Sequence, residues 1–168
     1  GNRSSVELQS EIISFISVCV DKQPAMAGLL LSEPETVKSL QGILSQVSTF
    51  SKNQPKILSR VLALLSSLWH ARSYGQFKAI VDTFRGSGEG DNNRSAQEFW
   101  SNITYPLFIP LDKVRSQGVT GDINASIGGV LDSRTDYERF DEIENFCYQL
   151  DIRSFALQLF GLELYTGE

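Results

Sequence analysis

The densest group of reactive side chains is a run of carboxylates between residues 136 and 144. Its members are Asp136, Glu138, Asp141, Glu142 and Glu144. Paired carboxylates can exchange protons or bind divalent cations. These acids, however, flank the first turns of a predicted helix, where the helix dipole stabilises negative charge, and Arg134 and Arg139 are interleaved with them. The pattern therefore favours a solvated acidic face, or the rim of a site for a basic partner, over a metal site.

Two further patterns resemble chemical motifs only in part. His70 is the only histidine, which excludes a histidine-rich metal site, and it stands at the predicted end of a helix, where a cation or donor suits the negative dipole end. The glycine-rich run 86–90 is followed by Asp91 where a dinucleotide fingerprint needs a glycine, and it lacks the Gly-Lys-Ser/Thr of a phosphate loop. We therefore expect no catalysis, cofactor, metal or small-molecule substrate.

Aromatic side chains are concentrated just before Pro106. They could stack on nucleic-acid bases, but no window of the sequence holds three neighbouring Lys or Arg residues to neutralise phosphates. We therefore expect no direct contact with nucleic acid. Core packing is the main interpretation of these aromatics, and a hydrophobic groove for a peptide is the alternative. The candidate partner-binding residues are Phe99, Trp100, Tyr105, Glu138, Asp141 and Glu142.

Composition and charge bound the class of protein. The 168 residues are 41% hydrophobic and 21% charged, which excludes a disordered chain and a coiled-coil rod. The longest apolar stretch, 12–20, is interrupted by two serines, so no membrane insertion is expected. Residues 1–84 carry a net charge of +2 and residues 85–168 a net charge of −7. The acidic second half would attract a basic partner.

The cysteines and the first residue bear on the compartment and on the extent of the chain. Cys19 and Cys147 lack a CxxC spacing and lie in apolar patterns. We predict buried free thiols in a reducing compartment, with a disulfide between the two as the alternative. The chain begins with Gly rather than Met and has no charged-then-apolar leader, so we expect it to be a segment of a longer protein.

The elements that must position these residues are predicted to be helices almost throughout. The first helix should end near residues 21–23, since Pro24 disfavours helical geometry in the residue before it, and a short apolar turn should follow at 25–31. A second helix should begin at Pro34 and run to about residue 50. The predicted inner face of the first helix is Leu8, Ile12, Phe15, Ile16 and Cys19, and that of the second is Val37, Leu40, Leu44 and Val47.

The helix that Pro55 opens carries the widest apolar stripe of the sequence. A helix with apolar residues on most sides should be sandwiched between neighbours. Shorter helices are predicted over 76–84 and from a cap at Ser95 to Pro106. The apolar residues of the stripe are Ile57, Leu58, Val61, Leu62, Leu64, Leu65, Leu68 and Trp69.

Two loops and a broken helix complete the predicted order of elements. Segments 86–94 and 109–135 are rich in glycine and polar residues and poor in periodic apolar ones, so both are predicted to be flexible loops. The C-terminal stretch shows two apolar faces in different phases, which predicts a break or bend near Asp151. These faces are Phe140, Ile143, Cys147 and Leu150, followed by Ile152, Phe155, Leu159 and Leu162.

The predicted fold is all-α, with six or seven helices over residues 1–168 in a single unit. The favoured architecture is a segment of an α-solenoid with stacked antiparallel helix pairs of the HEAT or armadillo kind, and a closed bundle is the alternative. Both terminal segments are rich in apolar residues, whereas the end repeats of a complete solenoid carry polar outer faces. No crisp repeat period is visible, which favours degenerate HEAT-like pairs over repeats with a strong consensus.

Two segments carry a resemblance to a known family. Residues 99–108, which begin with Phe99 and Trp100 and include Pro106, resemble a segment of the large α-helical scaffold nucleoporins, in particular the nucleoporin-188 family. Residues 155–165 are similar to the next long helix of that family, and residues 62–69 agree with it in leucine-rich character alone. The specific match covers about residues 95–168. The segments 86–94 and 116–129 depart from the family pattern, and the related nucleoporin-205 family is the alternative.

The resemblance implies a non-catalytic scaffold. Such a chain would be an internal segment of a long α-solenoid in the inner ring of the nuclear pore complex, at the nuclear envelope. It would offer grooves to short linear segments of linker nucleoporins and support the transport of protein and mRNA. The sequence also leaves open a generic helical-repeat adaptor of the trafficking, karyopherin-like or armadillo type. An enzyme or small-ligand bundle would need a deep pocket with converging polar groups.

Overall fold

The computed structural model describes residues 2–86, 92–110 and 136–166. Within these ranges the chain forms eight α-helices, one 3₁₀ turn and no strand, so the all-α prediction is confirmed. The elements are α1 (Asn2–Lys22), α2 (Pro24–Ser32), α3 (Pro34–Ser45), α4 (Val47–Asn53), α5 (Pro55–His70), α6 (Gly75–Arg85), α7 (Asn92–Thr104), the 3₁₀ turn (Tyr105–Phe108) and α8 (Asp136–Thr166).

Prolines set several of the helix starts. Pro24, Pro34 and Pro55 each occupy the first position of a helix. Proline lacks the N–H that would be unpaired in a first turn, and its fixed φ angle suits the helix. The predicted end of the first helix near residues 21–23 is confirmed, because α1 ends at Lys22.

Helix α5 is the centre of the molecule. It packs between α1 and α8, with α4 and α6 beside it. The predicted sandwich is therefore confirmed, since side chains around most of the circumference of α5 are excluded from solvent. The fully buried apolar residues of α5 are Ile57, Leu58, Val61, Leu62, Leu64, Leu65 and Leu68.

The predicted inner face of α1 is wrong in phase. Leu8, Ile12 and Phe15 are 62%, 51% and 55% exposed. Helix α1 has apolar residues on two sides, and the side that faces α5 is the other one. Only Ile16 and Cys19 of the predicted face are buried. The residues that α1 buries are Ser10, Ile13, Ile16, Cys19 and Val20.

The region between α1 and α5 has more helices than predicted. The apolar turn expected at 25–31 is the helix α2, and the helix expected from 34 to 50 is divided into α3 and α4 at Gln46. Its predicted inner face is nevertheless confirmed, since Val37, Leu40, Leu44 and Val47 are all buried.

The connection between α6 and α7 is shorter than the predicted loop 86–94. Gly86 ends α6 in the left-handed region at φ 76°, which an L side chain rarely adopts. Helix α7 begins at Asn92, three residues before the cap predicted at Ser95. Residues 87–91 lie outside the described part of the chain. Of the loop predicted over 109–135, only residues 109 and 110 are described, and both are non-helical.

The break predicted near Asp151 is wrong, because residues 136–166 form one uninterrupted helix of 31 residues. The prediction assumed that both apolar faces of this stretch must be buried. In the structure one face is buried and the other is exposed, and Ser154 lies on the exposed side. No polar residue is forced into the core, so the helix can continue. The buried residues of α8 are Ile152, Ala156 and Leu159.

Candidate functional site

An aromatic cluster joins α5, α7 and α8. Phe99 stacks on Trp69 with ring centroids 5.5 Å apart, and the edge of Trp100 meets Phe99 at 5.0 Å. Phe160 of α8 contacts Trp100 at 5.9 Å. Phe99 is only 6% exposed, so its ring serves the packing of these three helices. Trp100 is half-buried and keeps part of its surface accessible.

The other aromatic candidate, Tyr105, lies at the start of the 3₁₀ turn after α7. Its side chain is exposed, whereas the neighbouring Pro106 is buried. The turn contacts α4 and α8. Tyr105 is therefore placed on the surface, where a partner can reach it.

The acidic candidates lie in the first two turns of α8. Asp141 forms an ion pair with Arg3 of α1 at 3.3 Å, and the Arg3 guanidinium lies 4.8 Å from the centre of the Tyr137 ring. Glu138 is exposed and Glu142 is half-buried. The group therefore stabilises the start of α8 through the helix dipole, and it joins α8 to the start of α1.

The structure places the aromatic and the acidic candidates at opposite ends of α8. Asp141 and Phe160 are 19 residues apart on one helix, which corresponds to about 28 Å along its axis. Trp100 contacts Phe160, whereas Asp141 pairs with Arg3. The two sets therefore do not form one site, although a partner that runs along α8 could touch both.

A polar cluster around Glu163 was not found by the sequence analysis. One carboxylate oxygen of Glu163 accepts hydrogen bonds from the Trp69 indole at 2.7 Å and from Arg72 at 2.8 Å, and the other accepts from Arg85 at 2.7 Å. Arg85 also pairs with Asp82 at 3.1 Å. We call these residues the Glu163 cluster. Their contacts fix the C-terminal end of α8 to α5 and α6.

A second polar cluster connects α1, α5 and α8. The Lys56 ammonium donates to both carboxylate oxygens of Glu7 at 2.8 Å, and the Tyr148 hydroxyl donates to Glu144 at 3.0 Å. The hydrogen bond from Lys56 lowers the pKa of Glu7. Burial, together with the hydrogen bond to Glu144, raises the pKa of Tyr148. Burial alone would lower the pKa of Lys56, but the Glu7 hydrogen bond and the nearby Tyr148 and Glu144 raise it. We call this group the Lys56 cluster.

The Lys56 cluster predicts a loss of stability in strong base. Because the pKa values of Lys56 and Tyr148 are higher in the folded chain, their contribution is complete below about pH 10 and is lost as the pH rises further. Urea unfolding at about pH 9.5 and 11 should show a smaller decrease for Tyr148→Phe than for the wild type, because the variant removes the phenol and also a neighbour that helps to raise the pKa of Lys56. The matched control is Tyr74→Phe at an exposed tyrosine, which should behave as the wild type. Equal decreases in all three proteins would contradict the prediction.

The same cluster also predicts a loss of stability in acid, because the pKa of Glu7 shifts in the opposite direction to those of Lys56 and Tyr148. The pKa of Glu7 is lowered on folding, so its contribution is present above about pH 4.5 and is lost as the pH falls. In urea unfolding, Lys56→Gln should therefore lose less stability than the wild type between about pH 6 and pH 3, because Glu7 no longer has the lysine that lowers its pKa.

The remaining chemical candidates take ordinary structural places. His70 is the exposed last residue of α5, as predicted. Cys19 and Cys147 are free thiols, which confirms that part of the prediction, but Cys147 is exposed because it lies on the outward side of α8. The described residues contain no group of three or more His, Cys, Asp or Glu that could hold a metal ion. Over those same ranges, no helix has the length and apolar character to cross a bilayer.

Exposed apolar surface is the most unusual feature of the molecule. On α1 it comprises Leu8, Ile12, Phe15 and Val18, all more than half exposed, which we call the α1 outer face. Beside it a groove of about 600 Å³ lies between α1 and α3, with Ile12, Ile43 and Phe50 among its lining residues. A second exposed apolar face runs along α8 and includes Phe140, Ile143 and Leu157. Contiguous apolar faces are uncommon on the surface of a folded monomer, so these two faces are candidate interaction surfaces.

Comparison with known proteins identifies no relative: no family model, no curated protein and no solved structure matches the chain.

Proposed function

We propose that this chain is a non-catalytic scaffold segment of stacked helices, which binds other proteins through its helix faces. The observation that supports the proposal is that the first and last helices, α1 and α8, each expose a second apolar face. The end helices of a self-contained helical array carry polar outer faces, because nothing further covers them. Here both end helices have the two-sided apolar character of helices from the middle of a stack.

The order of packing supports a stack in the same way. Helix α5 lies between α1 and α8, and the exposed faces of α1 and α8 point away from this shared centre. Further helices placed on either side would continue the arrangement. We therefore favour a segment of an α-solenoid over a closed bundle, in which these faces would be turned inward.

The resemblance of residues 95–168 to the scaffold nucleoporins extends the proposal to a cellular role. The segment would belong to the inner ring of the nuclear pore complex, where it would bind linker nucleoporins and support the transport of protein and mRNA. The groove between α1 and α3 suits a short amphipathic helix, since its walls contribute Ile12, Ile43 and Phe50 beside polar Gln9 and Gln46. This part of the proposal depends on the sequence resemblance and on the shape of the groove.

Affinity capture with a groove variant tests the role. The wild-type chain should retain identified linker nucleoporins from a nuclear envelope extract, and Ile12→Asp should lose about tenfold or more of that material, because it places a carboxylate in the groove wall. Ile12 is half exposed, so the variant should keep the helical circular dichroism of the wild type.

The matched control is Leu29→Asp, the same type of change at an exposed leucine of α2 outside this groove. It should retain the linker nucleoporins. Specific retention of trafficking or karyopherin-type partners, with no nucleoporin, would replace the nuclear pore role by that of a generic adaptor. Equal retention by wild type and Ile12→Asp would remove the groove from the proposal.

A further inference from the structure

The exposed face of α8 follows a strict heptad spacing. Its eight positions are separated by alternating steps of three and four residues, and every one of them is exposed. This is the spacing by which helices pair in a left-handed coiled coil. The stripe is 25 residues long, or about 37 Å. We call it the α8 seam, and its residues are Phe140, Ile143, Cys147, Leu150, Ser154, Leu157, Gly161 and Leu164.

We propose that the α8 seam pairs with the α8 seam of a second copy of this chain. The two helices run antiparallel, and the two-fold axis of the dimer passes close to residue 152. On the α8 side the second copy supplies the helix that covers this exposed face, in place of a further helix of the same chain, and the α1 outer face remains for the rest of the stack. The inference depends on the seam and not on the nuclear pore assignment.

Side-chain size is the argument for pairing of the seam with itself. With the axis at residue 152, each seam residue faces the one at the mirrored position of the other helix. Leu150 then faces Ser154 of the second copy, and Ile143 faces its Gly161. Cys147 faces Leu157 of the second copy in the same way. Three of the four distinct layers thus place a large side chain opposite a small one, which is how layers of a helix pair fill space without overlap.

The space at Gly161 is open in the monomer. A Cβ atom added to Gly161 would meet nothing within 4 Å, so Ile143 of the second copy can approach the backbone there. In a parallel pair Gly161 would face Gly161 and Ser154 would face Ser154. Both layers would be left underfilled and would lose dispersion contacts. The size profile therefore selects the antiparallel direction.

The apolar area is adequate for a dimer of moderate affinity. The large seam residues are between 43% and 67% exposed, and Phe160 and Tyr165 flank them. Together they present on the order of 600–800 Å² per copy, close to the ~800 Å² per partner of a standard interface. The guanidinium of Arg153, beside the seam, donates to the carbonyl of Ile109 and is thereby turned from the dimer axis. Asp151 is one residue from that axis, so the Asp151 carboxylates of the two copies come near each other, and added salt should strengthen the dimer.

Sedimentation equilibrium of the purified 168-residue chain, in reductant, tests the pairing. The wild type should follow a monomer–dimer equilibrium between about 1 and 200 µM, and Leu157→Asp should weaken it by at least about tenfold. Leu157 is 59% exposed, so the variant should fold. The control Phe15→Asp makes the same kind of change on the α1 outer face and should leave the dimer intact. A wild type that stays monomeric over the whole range, or a dimer that Phe15→Asp abolishes and Leu157→Asp does not, would overturn the proposal.

The direction of pairing has its own test in Cys147. In the antiparallel dimer the two Cys147 residues lie five residues on either side of the axis, about 15 Å apart, which is too far for a disulfide. Wild-type chain treated with diamide should therefore form no covalent dimer through Cys147. Cys19 should form none either, because it is buried. Leu157→Cys should form one, in which peptide mass identifies a link between Cys147 and the thiol introduced at position 157. A wild-type dimer linked through Cys147 alone would overturn the antiparallel arrangement.

Discussion

Leu65→Ala should lower the free energy of unfolding by about 2–5 kcal/mol. Leu65 is fully buried on α5, the helix that packs between α1 and α8. Because the side chain has no exposed surface, its removal leaves an enclosed cavity that the packed neighbours can fill only in part. The lost transfer free energy of the side chain therefore adds to the cost of the cavity. Urea unfolding followed by circular dichroism gives the difference directly.

Leu29→Ala is the matched control for this change. Leu29 lies on α2 and is 72% exposed, so the same truncation should alter the free energy of unfolding by no more than about 0.5 kcal/mol. If Leu65→Ala costs less than about 1 kcal/mol, α5 does not have the sandwiched environment that the structure describes.

The central helix was predictable because its sequence leaves little choice. Helix α5 is apolar on most sides, so any orientation buries most of its residues, and the neighbours must surround it. Proline indicated the starts of α3 and α5 by local chemistry alone, since its missing N–H and fixed φ act within one turn, whereas Pro24 indicated the end of α1 but not the helix α2 that follows. These features depend on few long-range contacts, which is why the apolar periodicity and the positions of the prolines were sufficient to predict them.

The orientation of α1 and α8 could not be predicted from their own patterns. Each helix has apolar residues on two sides, and only packing against α5 decides which side is inner. On α1 the inner side even includes a polar residue. Ser10 is fully buried, but its hydroxyl donates to the Val6 carbonyl at 2.8 Å, so its burial leaves no unpaired polar group. A pattern that counts serine as exposed therefore selects the wrong face.

The polar contacts of the candidate surface depend on residues that are distant in sequence. Glu163 meets Arg72 and Arg85, which are 91 and 78 positions away. The only local signal was a carboxylate in the apolar run 155–165. On α8, the apolar spacing marks Phe140, Ile143, Cys147 and Leu150 as one face, which was predicted to be buried. The full seam follows only from the continuation of α8 through Asp151, which the phase change of the apolar pattern argued against.

Glu163→Ala should lower the free energy of unfolding by about 2–3 kcal/mol. The variant leaves the cations of Arg72 and Arg85, whose side chains are 13% and 26% exposed, without their shared carboxylate. It also leaves the indole N–H of the buried Trp69 without its acceptor. Fully buried ion pairs cost about 3–5 kcal/mol when one partner is removed, and partial solvation of this cluster reduces that cost. Urea unfolding at neutral pH measures the effect.

Asp141→Ala is the control that separates a buried cluster from a surface pair. Its ion pair with Arg3 joins side chains that are 45% and 64% exposed, and such pairs contribute about 0–1 kcal/mol. Glu163→Gln should fall between the two variants, because the amide oxygen can still accept one hydrogen bond while the charge is lost. If Glu163→Ala and Asp141→Ala cost the same, the end of α8 is held by the aromatic contacts of Trp100 and Phe160 rather than by the Glu163 cluster.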